Sequence, residues 1–289
     1  MAKKISYGGM AVIEGVMMKG PQETALAVRN ADGSIQIDKE ANRDWQERYP
    51  ILKWPIIRGC YMLIDSMVVG IRMLNKSANM SMDEEEEELT AGEIWTTGIF
   101  ALVMAIGLFV ILPASIVHLS RRYFGGIWAQ NIVEGIIRIA FLLIYIYLIS
   151  LLEDIKRVFM YHGAEHKTIF TYEAGEELTV ANARRHSTLH PRCGTSFLLI
   201  VMVVSVLVFA LLGGGSLFYR IWSRLAVLPV VAGLGYEFIR FSGKYYNNSL
   251  ARFLITPGLW LQKLTTREPD DQQLEVALAA LKEVLVAES

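Results

Sequence analysis

Residues 197–219 read FLLIVMVVSVLVFALLGGGSLFY and contain no charged side chain. Residues 94–117, which read IWTTGIFALVMAIGLFVILPASIV, contain none either. Both runs exceed the about 20 apolar residues with which an α-helix crosses the hydrocarbon layer of a bilayer. A core helix of a water-soluble protein would show a polar stripe, and neither run has one. The two runs therefore predict transmembrane helices and an α-helical polytopic membrane protein.

A third transmembrane helix is predicted over residues 132–152. This run is apolar apart from Glu134 and Arg138 near its start. Their spacing of four residues places the two side chains on one face of a helix.

A fourth transmembrane helix is predicted over residues 221–241, which brings the number of spans to about four. Its uncharged part is short, because Arg224 precedes it and Glu237 and Arg240 follow it. Long charged side chains near the ends of a span can extend to the lipid headgroups, and we expect that arrangement here. The alternative places Glu237 inside the bundle as a functional group.

The composition supports the membrane class and excludes others. Hydrophobic residues make up 53% and charged residues 20% of the 289 residues, and the mean hydropathy is +0.35. Such a chain is neither disordered nor typical of a soluble enzyme. The net charge of −1 gives no field that would attract DNA or RNA, so no nucleic-acid partner is expected. Cys60 and Cys193 are the only cysteines, which predicts a reducing compartment and no disulfide framework.

The remaining segments predict a small α+β N-terminal cytosolic domain and several interfacial or amphipathic helices. Apolar runs on either side of Asn30–Gly33 are typical of a β-hairpin. Arg58, Asp65 and Arg72 recur every seven residues and form one polar stripe on an otherwise apolar helix. The predicted segments are 1–54, a cytosolic β-containing segment; 55–80, an amphipathic interfacial helix; 81–93, an acidic linker; 250–264, an interfacial or re-entrant segment; and 269–289, an amphipathic C-terminal helix.

Basic residues predict the orientation of the spans, because cytoplasmic loops carry an excess of lysine and arginine. Segment 153–196, interpreted as a loop, contains six such residues. The other connections hold Arg121, Arg122 and Arg220. With segment 153–196 in the cytosol, four spans also place both termini in the cytoplasm.

The chemistry-bearing string of this loop is Tyr161–Lys167, which contains H-x-x-E-H. In a helix, His162 and His166 lie one turn apart on the same face, close enough to hold one ion. In the inverted zinc-protease motif, two histidines ligate the metal and the glutamate activates water. Glu165 is therefore the candidate catalytic base.

The surrounding residues extend this candidate site. Four of the five histidines fall between positions 162 and 190, and a cysteine follows the last of them after three residues. Imidazole and thiolate are good ligands for zinc or another divalent transition metal. The alternative is that the histidines bond to backbone carbonyls and Cys193 is a small buried residue. The candidate metal ligands are His162, His166, His190 and Cys193; the additional candidates are Glu237, Glu14 and His186.

Five strings of the sequence are distinctive when taken together. They are the glycine-rich opening Tyr7–Pro21, then Tyr161–Lys167, His190–Phe197, Pro257–Gln262 and Thr265–Pro269. In this order they resemble the YqhQ-like bacterial membrane proteins, and that resemblance covers nearly the whole chain. It implies a bacterial inner-membrane protein and a metal site at the residues named above. The family is described as a domain of unknown function and labelled a predicted metal-dependent enzyme, and it implies no substrate.

Two functions of different classes follow. The first is a membrane-embedded metal-dependent enzyme, most simply a hydrolase at the cytosolic face, with Glu165 taking a proton from water. The second is a non-catalytic scaffold or accessory factor that binds another membrane protein complex or itself, with any metal structural. The lipid bilayer is the expected surrounding in both. A transporter is a weaker third hypothesis, because intramembrane charges are few.

Overall fold

A computed structural model describes residues 7–42, 45–81, 90–244 and 248–287. The first described segment is a four-stranded antiparallel sheet in the order β1-β2-β3-β4. Arg29 pairs with Ile35 at the end of the predicted hairpin, and Gly33 supplies the positive φ of 86° that the turn requires. The strands are β1 (Gly8–Val12), β2 (Gly15–Lys19), β3 (Glu23–Arg29) and β4 (Ile35–Ala41).

The rest of the described chain is mostly helical. A five-residue π-helical segment, residues 107–111, joins α3 to α4, so that the three form one continuous helical segment. The helices are α1 (Trp45–Arg48), α2 (Ile57–Ser81), α3 (Ala91–Ile106), α4 (Leu112–Leu119), α5 (Gly126–Ile149), α6 (Glu153–Ala174), α7 (Val180–Arg184), α8 (Gly194–Leu211), α9 (Leu217–Lys244), α10 (Ser249–Thr265) and α11 (Asp271–Val286).

Four helices are long and apolar enough to cross a membrane, as the sequence predicts. Their bounds are 95–119, 126–149, 194–211 and 217–241. These four helices, called the bundle below, indicate a membrane protein. Together with the small N-terminal sheet they confirm the predicted fold class in outline.

The ends of the spans differ from the predicted ones. The predicted span 197–219 runs through a turn, because α8 ends at Leu211 and α9 begins at Leu217. Gly213 lies in this turn with a φ of 73°, where a glycine is favoured. Because residues 197–219 contain no charged side chain, the sequence pattern did not reveal the turn between the third and fourth candidate spans.

The two inner strands, β2 and β3, are buried on both faces, which explains their nearly continuous apolar residues, whereas β4 at the edge of the sheet has no buried residue. One face packs on α6 and α11 through Val16, Ala27, Ala164 and Leu281. The other face packs on α2, where Met73 lies among Val12, Met17, Leu26 and Val28. Burial of both faces fixes the sheet beside α6.

Segment 55–80, predicted as an interfacial helix, forms α2 and crosses α9. A Cβ atom added to Gly59 would lie 2.8 Å from the Cα atom of Gly233, so the two backbones are in close contact. The Cys60 thiol donates to the carbonyl oxygen of Pro229 at 2.9 Å. α2 is thus packed against the fourth candidate span.

Two other predicted segments take a different form. Segment 153–196 is not an irregular loop, since it contains α6 and α7. Segment 250–264 lies within the continuous helix α10, which buries Leu261 and Gln262. Of the acidic linker, residues 82–89 lie outside the described residues.

The expectation that Arg224 extends to the headgroups is wrong. Its side chain is fully buried and donates from Nη2 to Glu134 Oε2 at 2.8 Å. Arg220, counted above with the loops, lies in α9 and is also buried. Burial of a guanidinium costs less free energy when a carboxylate is buried beside it than when only apolar side chains surround it.

Candidate metal centre

The candidate metal centre is built on one buried face of α6. Gly175, with a φ of 72°, ends this helix, and the run from Tyr161 to Thr171 is almost entirely buried. His162 and His166 lie one turn apart, with 4.4 Å between their ring centroids. The helical spacing predicted from H-x-x-E-H is therefore present.

Cys193 joins these histidines from the N-terminus of α8. Its Sγ atom lies 3.1 Å from Nε2 of His162. One donor atom from each of His162, His166 and Cys193 fits within 4.8 Å of the others. These three residues are called the His₂Cys cluster below. Cys193 follows the two histidines by 31 and 27 residues in the chain, and the fold brings the three ligand atoms together.

The outer nitrogen of each histidine in the cluster is held by a backbone carbonyl. Nδ1 of His162 lies 2.8 Å from the oxygen of Thr265, and Nδ1 of His166 lies 2.5 Å from the oxygen of Thr188. A carbonyl oxygen can only accept, so both rings carry their proton on Nδ1 when neutral. Their Nε2 atoms therefore carry the lone pairs, as in metal-ligating histidines, and the lone pair of His162 faces the Cys193 thiol at 3.1 Å.

Glu165 is buried beside the cluster and is 5% exposed. Burial raises the pKa of this carboxyl, while His162, His190 and the backbone N–H of Gly9 act in the opposite direction. Its Oε2 atom lies 3.4 Å from Nε2 of His166. Burial also lowers the pKa of His166, which keeps the ring neutral and able to ligate.

His190 lies next to the cluster but does not belong to it. Its ring centroid is 5.6 Å from that of His166. The backbone N–H of Arg192 donates to Nδ1 of His190 at 3.3 Å, so the proton of the neutral ring is on Nε2. Among the described residues this buried Nε2 has no hydrogen-bond partner, and Glu173 Oε2 lies 3.6 Å away. Burial lowers the pKa of His190 too.

The structure places the three additional candidates away from the His₂Cys cluster. Glu14 accepts from Arg157 at 2.6 Å and from Tyr161 at 3.3 Å. Glu237 is held by Arg58, whose Nη2 donates to both carboxylate oxygens at 2.7 and 2.6 Å.

The third of them, His186, faces Glu176 with 3.2 Å between Nε2 and Oε2. Each of the three thus has a partner of its own outside the cluster.

Two residues that sequence reasoning missed help to shape the site. A Cβ atom on Gly9 would lie 2.5 Å from Cγ of Glu165, so only glycine fits where β1 covers this carboxylate. Gln262 is fully buried, accepts from the backbone N–H of His190 and donates to its carbonyl oxygen, both at 2.8 Å. An amide inside the apolar string Pro257–Gln262 was the available signal for the second residue.

Fold and site together define a class: a helical protein with four candidate membrane spans, a small N-terminal sheet and a His₂Cys cluster between them. The chain belongs to the family described as "Protein of unknown function (DUF1385)", which matches residues 54–287. It is also 36% identical over 297 residues to "Uncharacterized protein YqhQ" of Bacillus subtilis (strain 168), covering 98% of this chain and 93% of that protein. The resemblance to YqhQ-like proteins is thereby confirmed. No solved structure matches the chain.

Proposed function

We propose that the protein is a metal-dependent hydrolase of the bacterial inner membrane, with its site at the cytosolic end of the bundle. One observation supports this most directly. Nε2 of His162, Nε2 of His166 and Sγ of Cys193 converge, and backbone carbonyls hold both outer histidine nitrogens. That arrangement suits a three-residue metal site with a further coordination position open for chemistry.

The neighbouring residues supply acid–base groups. A zinc ion, or another divalent transition metal, would supply Lewis-acid activation of water and of the substrate's carbonyl or phosphoryl oxygen. Burial raises the pKa of Glu165, which makes its carboxylate a stronger base toward a proton of water. The Nε2–H of the neutral His190 ring faces the same region and can donate a hydrogen bond to a substrate oxygen, while Glu165 would return the proton taken from water to the leaving group.

The position of the site favours a substrate that comes from the bilayer or from another membrane protein. Cys193 is the N-cap of α8, one of the four candidate spans, and His162 lies nine residues after α6 begins at Glu153. The excess of basic residues in segment 153–196 supports a cytoplasmic position for this end and for both termini.

Metal analysis of the purified full-length protein, followed by single variants, tests the proposal. We expect about one equivalent of a transition metal, lost in His162→Ala and Cys193→Ser and retained in the matched control His186→Ala. Glu165→Gln should keep the metal and lose hydrolysis. Wild-type protein that takes up no transition metal, whether as purified or after incubation with zinc, would overturn the proposal.

The alternative, a scaffold or accessory factor with a structural metal, makes a different prediction for the same variants. Glu165→Gln would then be as active as wild type in a cell-based assay, because no proton transfer is involved. Cys193→Ser would lower stability and association with a partner together. The exposed apolar side chains of α2, among them Ile64, Met67 and Ile71, supply a surface for such a partner.

A further inference from the structure

Three arginines and one glutamate are buried together inside the bundle. Glu134 and Arg138 come from α5, and Arg220 and Arg224 come from α9. Their exposures are 1%, 3%, 2% and 0% in that order. This group, called the arginine cluster below, lies toward the end of the bundle at turns 120–125 and 212–216. Cys193 is at the opposite end of α8, so the arginine cluster is separate from the His₂Cys cluster.

Glu134 accepts hydrogen bonds from two of the three arginines. Its Oε1 accepts from Nη2 of Arg138 at 3.0 Å and from Nε of Arg224, and its Oε2 accepts from Nη2 of Arg224 at 2.8 Å. Nη1 of Arg220 lies 3.6 Å from Oε2, close enough for an ion pair but too far for a hydrogen bond. The single carboxylate therefore balances one positive charge and makes no hydrogen bond to Arg220.

The other acceptors in the arginine cluster are neutral. Arg138 donates from Nε to the carbonyl oxygen of Phe109 at 2.7 Å and from Nη1 to the hydroxyl of Ser205 at 3.2 Å. Arg224 donates to the side-chain oxygen of Asn131 at 3.1 Å. Guanidinium groups stay charged in proteins. Three positive charges and one negative charge thus leave a net charge of +2 among the four side chains, and uncompensated buried charge is costly.

Arg220 has the unused donors. Its Nε and Nη1 atoms are buried and have no hydrogen-bond partner among the described residues. Its Nη2 atom donates to the side-chain oxygen of Gln130, which fixes the plane of the guanidinium. A Cβ atom on Gly214 would lie 3.7 Å from that Nη2, so the glycine turn passes directly over this group.

Helix ends add to the positive potential at this point. α5 begins at Gly126 and α9 at Leu217, so the N-termini of two spans lie at the same end of the bundle as Arg220. The N-terminus of a helix carries about half a positive charge and exposes backbone N–H groups that bind anions. Arg121, in the turn between the first two spans, adds further repulsion at Arg220. The carboxylate that faces Arg220 is that of Glu134, at 3.6 Å.

We infer that this end of the bundle binds an anion bearing a phosphate group, with Arg220 as its principal ligand. Phosphate oxygens match the fork of a guanidinium, and their charge compensates the +2 of the arginine cluster. The N-terminus of α9, beside the glycine turn, adds its positive potential at the same place. A lipid headgroup and a free phosphate share this chemistry. The inference does not depend on the proposed hydrolase, because none of its residues belongs to the His₂Cys cluster.

Thermal unfolding of the full-length protein in a neutral detergent tests the inference. The buffer is free of phosphate and sulfate, and the two probes are inorganic phosphate and phosphatidylglycerol in mixed micelles, with phosphatidylcholine micelles as the lipid control. We expect one of the probes to raise the unfolding temperature of wild type, and Arg220→Gln to lower the apparent affinity at least tenfold. Arg72→Gln, which changes an exposed arginine of α2, should respond as wild type does.

Each outcome has a defined meaning. A response to inorganic phosphate identifies a water-borne anion, and a response to phosphatidylglycerol alone identifies a headgroup. Without any probe, Arg220→Gln should unfold at the same or a higher temperature than wild type, because it removes uncompensated buried charge. No response to either probe, an equal response in Arg220→Gln, or a lower unfolding temperature of Arg220→Gln without probe would overturn the inference. Arg220→Lys keeps the charge without the fork and should show a weakened response.

Discussion

Oε2 of Glu165 lies 3.4 Å from Nε2 of His166, and neither atom carries a proton when the carboxyl group is ionised. The Nδ1 proton of His166 is already donated to Thr188, so the ring has none to share with the carboxylate. Two facing lone pairs at this distance repel unless a proton or a cation lies near them. Burial raises the pKa of Glu165, which favours the protonated carboxyl group at this contact when no cation is present.

Loading the protein with Co²⁺ gives a direct spectroscopic test of whether the Cys193 thiolate is a metal ligand. If Cys193 ligates the ion, the Co²⁺-loaded protein shows a near-ultraviolet sulfur-to-cobalt charge-transfer band. Cys193→Ser should abolish this band, whereas Cys60→Ser, at the contact with Pro229, should leave it unchanged. A band that persists in Cys193→Ser would contradict the ligand assignment.

The close approach of β1 to the site predicts a sharp difference between two adjacent glycines. Gly9→Ala places a Cβ atom 2.5 Å from Cγ of Glu165 and should destabilise the protein by about 1–3 kcal/mol through overpacking. Gly8→Ala meets nothing within 4 Å and serves as the control. Chemical or thermal unfolding measures both. Equal stability of the two variants would show that β1 does not press on Glu165.

The crossing of α2 and α9 predicts a second pair of glycine variants. Gly59→Ala would bring a Cβ atom to 2.8 Å from the backbone of Gly233, which a side-chain rotation cannot relieve. We expect a loss of about 1–3 kcal/mol in unfolding free energy. Gly98→Ala, in the first candidate span with open space around it, should be unchanged or more stable by about 0.5–1 kcal/mol. A tolerated Gly59→Ala would mean that the helices are further apart.

Buried neutral histidines predict acid sensitivity of the metal-free protein. Burial lowers the pKa of His190 below its ordinary value of 6.5, so the unfolded chain binds its proton at a higher pH than the folded one. Stability is therefore present above about pH 6.5 and falls as the pH drops toward the folded pKa, with a slope of up to about 1.4 kcal/mol per pH unit for this group. The raised pKa of Glu165 has the opposite effect, because the contribution of this group to the stability of the protein falls as the pH rises above 4.5.

Unfolding measured between pH 5 and pH 8 in the presence of a chelator checks this expectation. His190→Ala should flatten the fall below pH 6.5. Identical slopes for wild type and His190→Ala would show that this histidine is not buried in its neutral form.

The sequence was informative where a local pattern determines the structure. Apolar runs located the four candidate spans, and a spacing of four residues placed His162 and His166 on one face. The sequence was not informative where charged residues that are distant in the chain form contacts. Nothing local indicates that Arg224 finds Glu134, 90 positions away, so a headgroup location was expected for it. The roles of His190 and Gly9 depend on a backbone N–H of Arg192 and on the packing of β1, neither of which a motif encodes.

The candidate metal ligands and the residue that covers Glu165 lie in separate parts of this chain. The donor atoms belong to α6 and to the start of α8, while the wall over Glu165 is the backbone of Gly9 in a strand that precedes the part matched by the family, residues 54–287. Changes in the side chains flanking that strand can therefore alter which molecules reach the carboxylate without moving a single ligand.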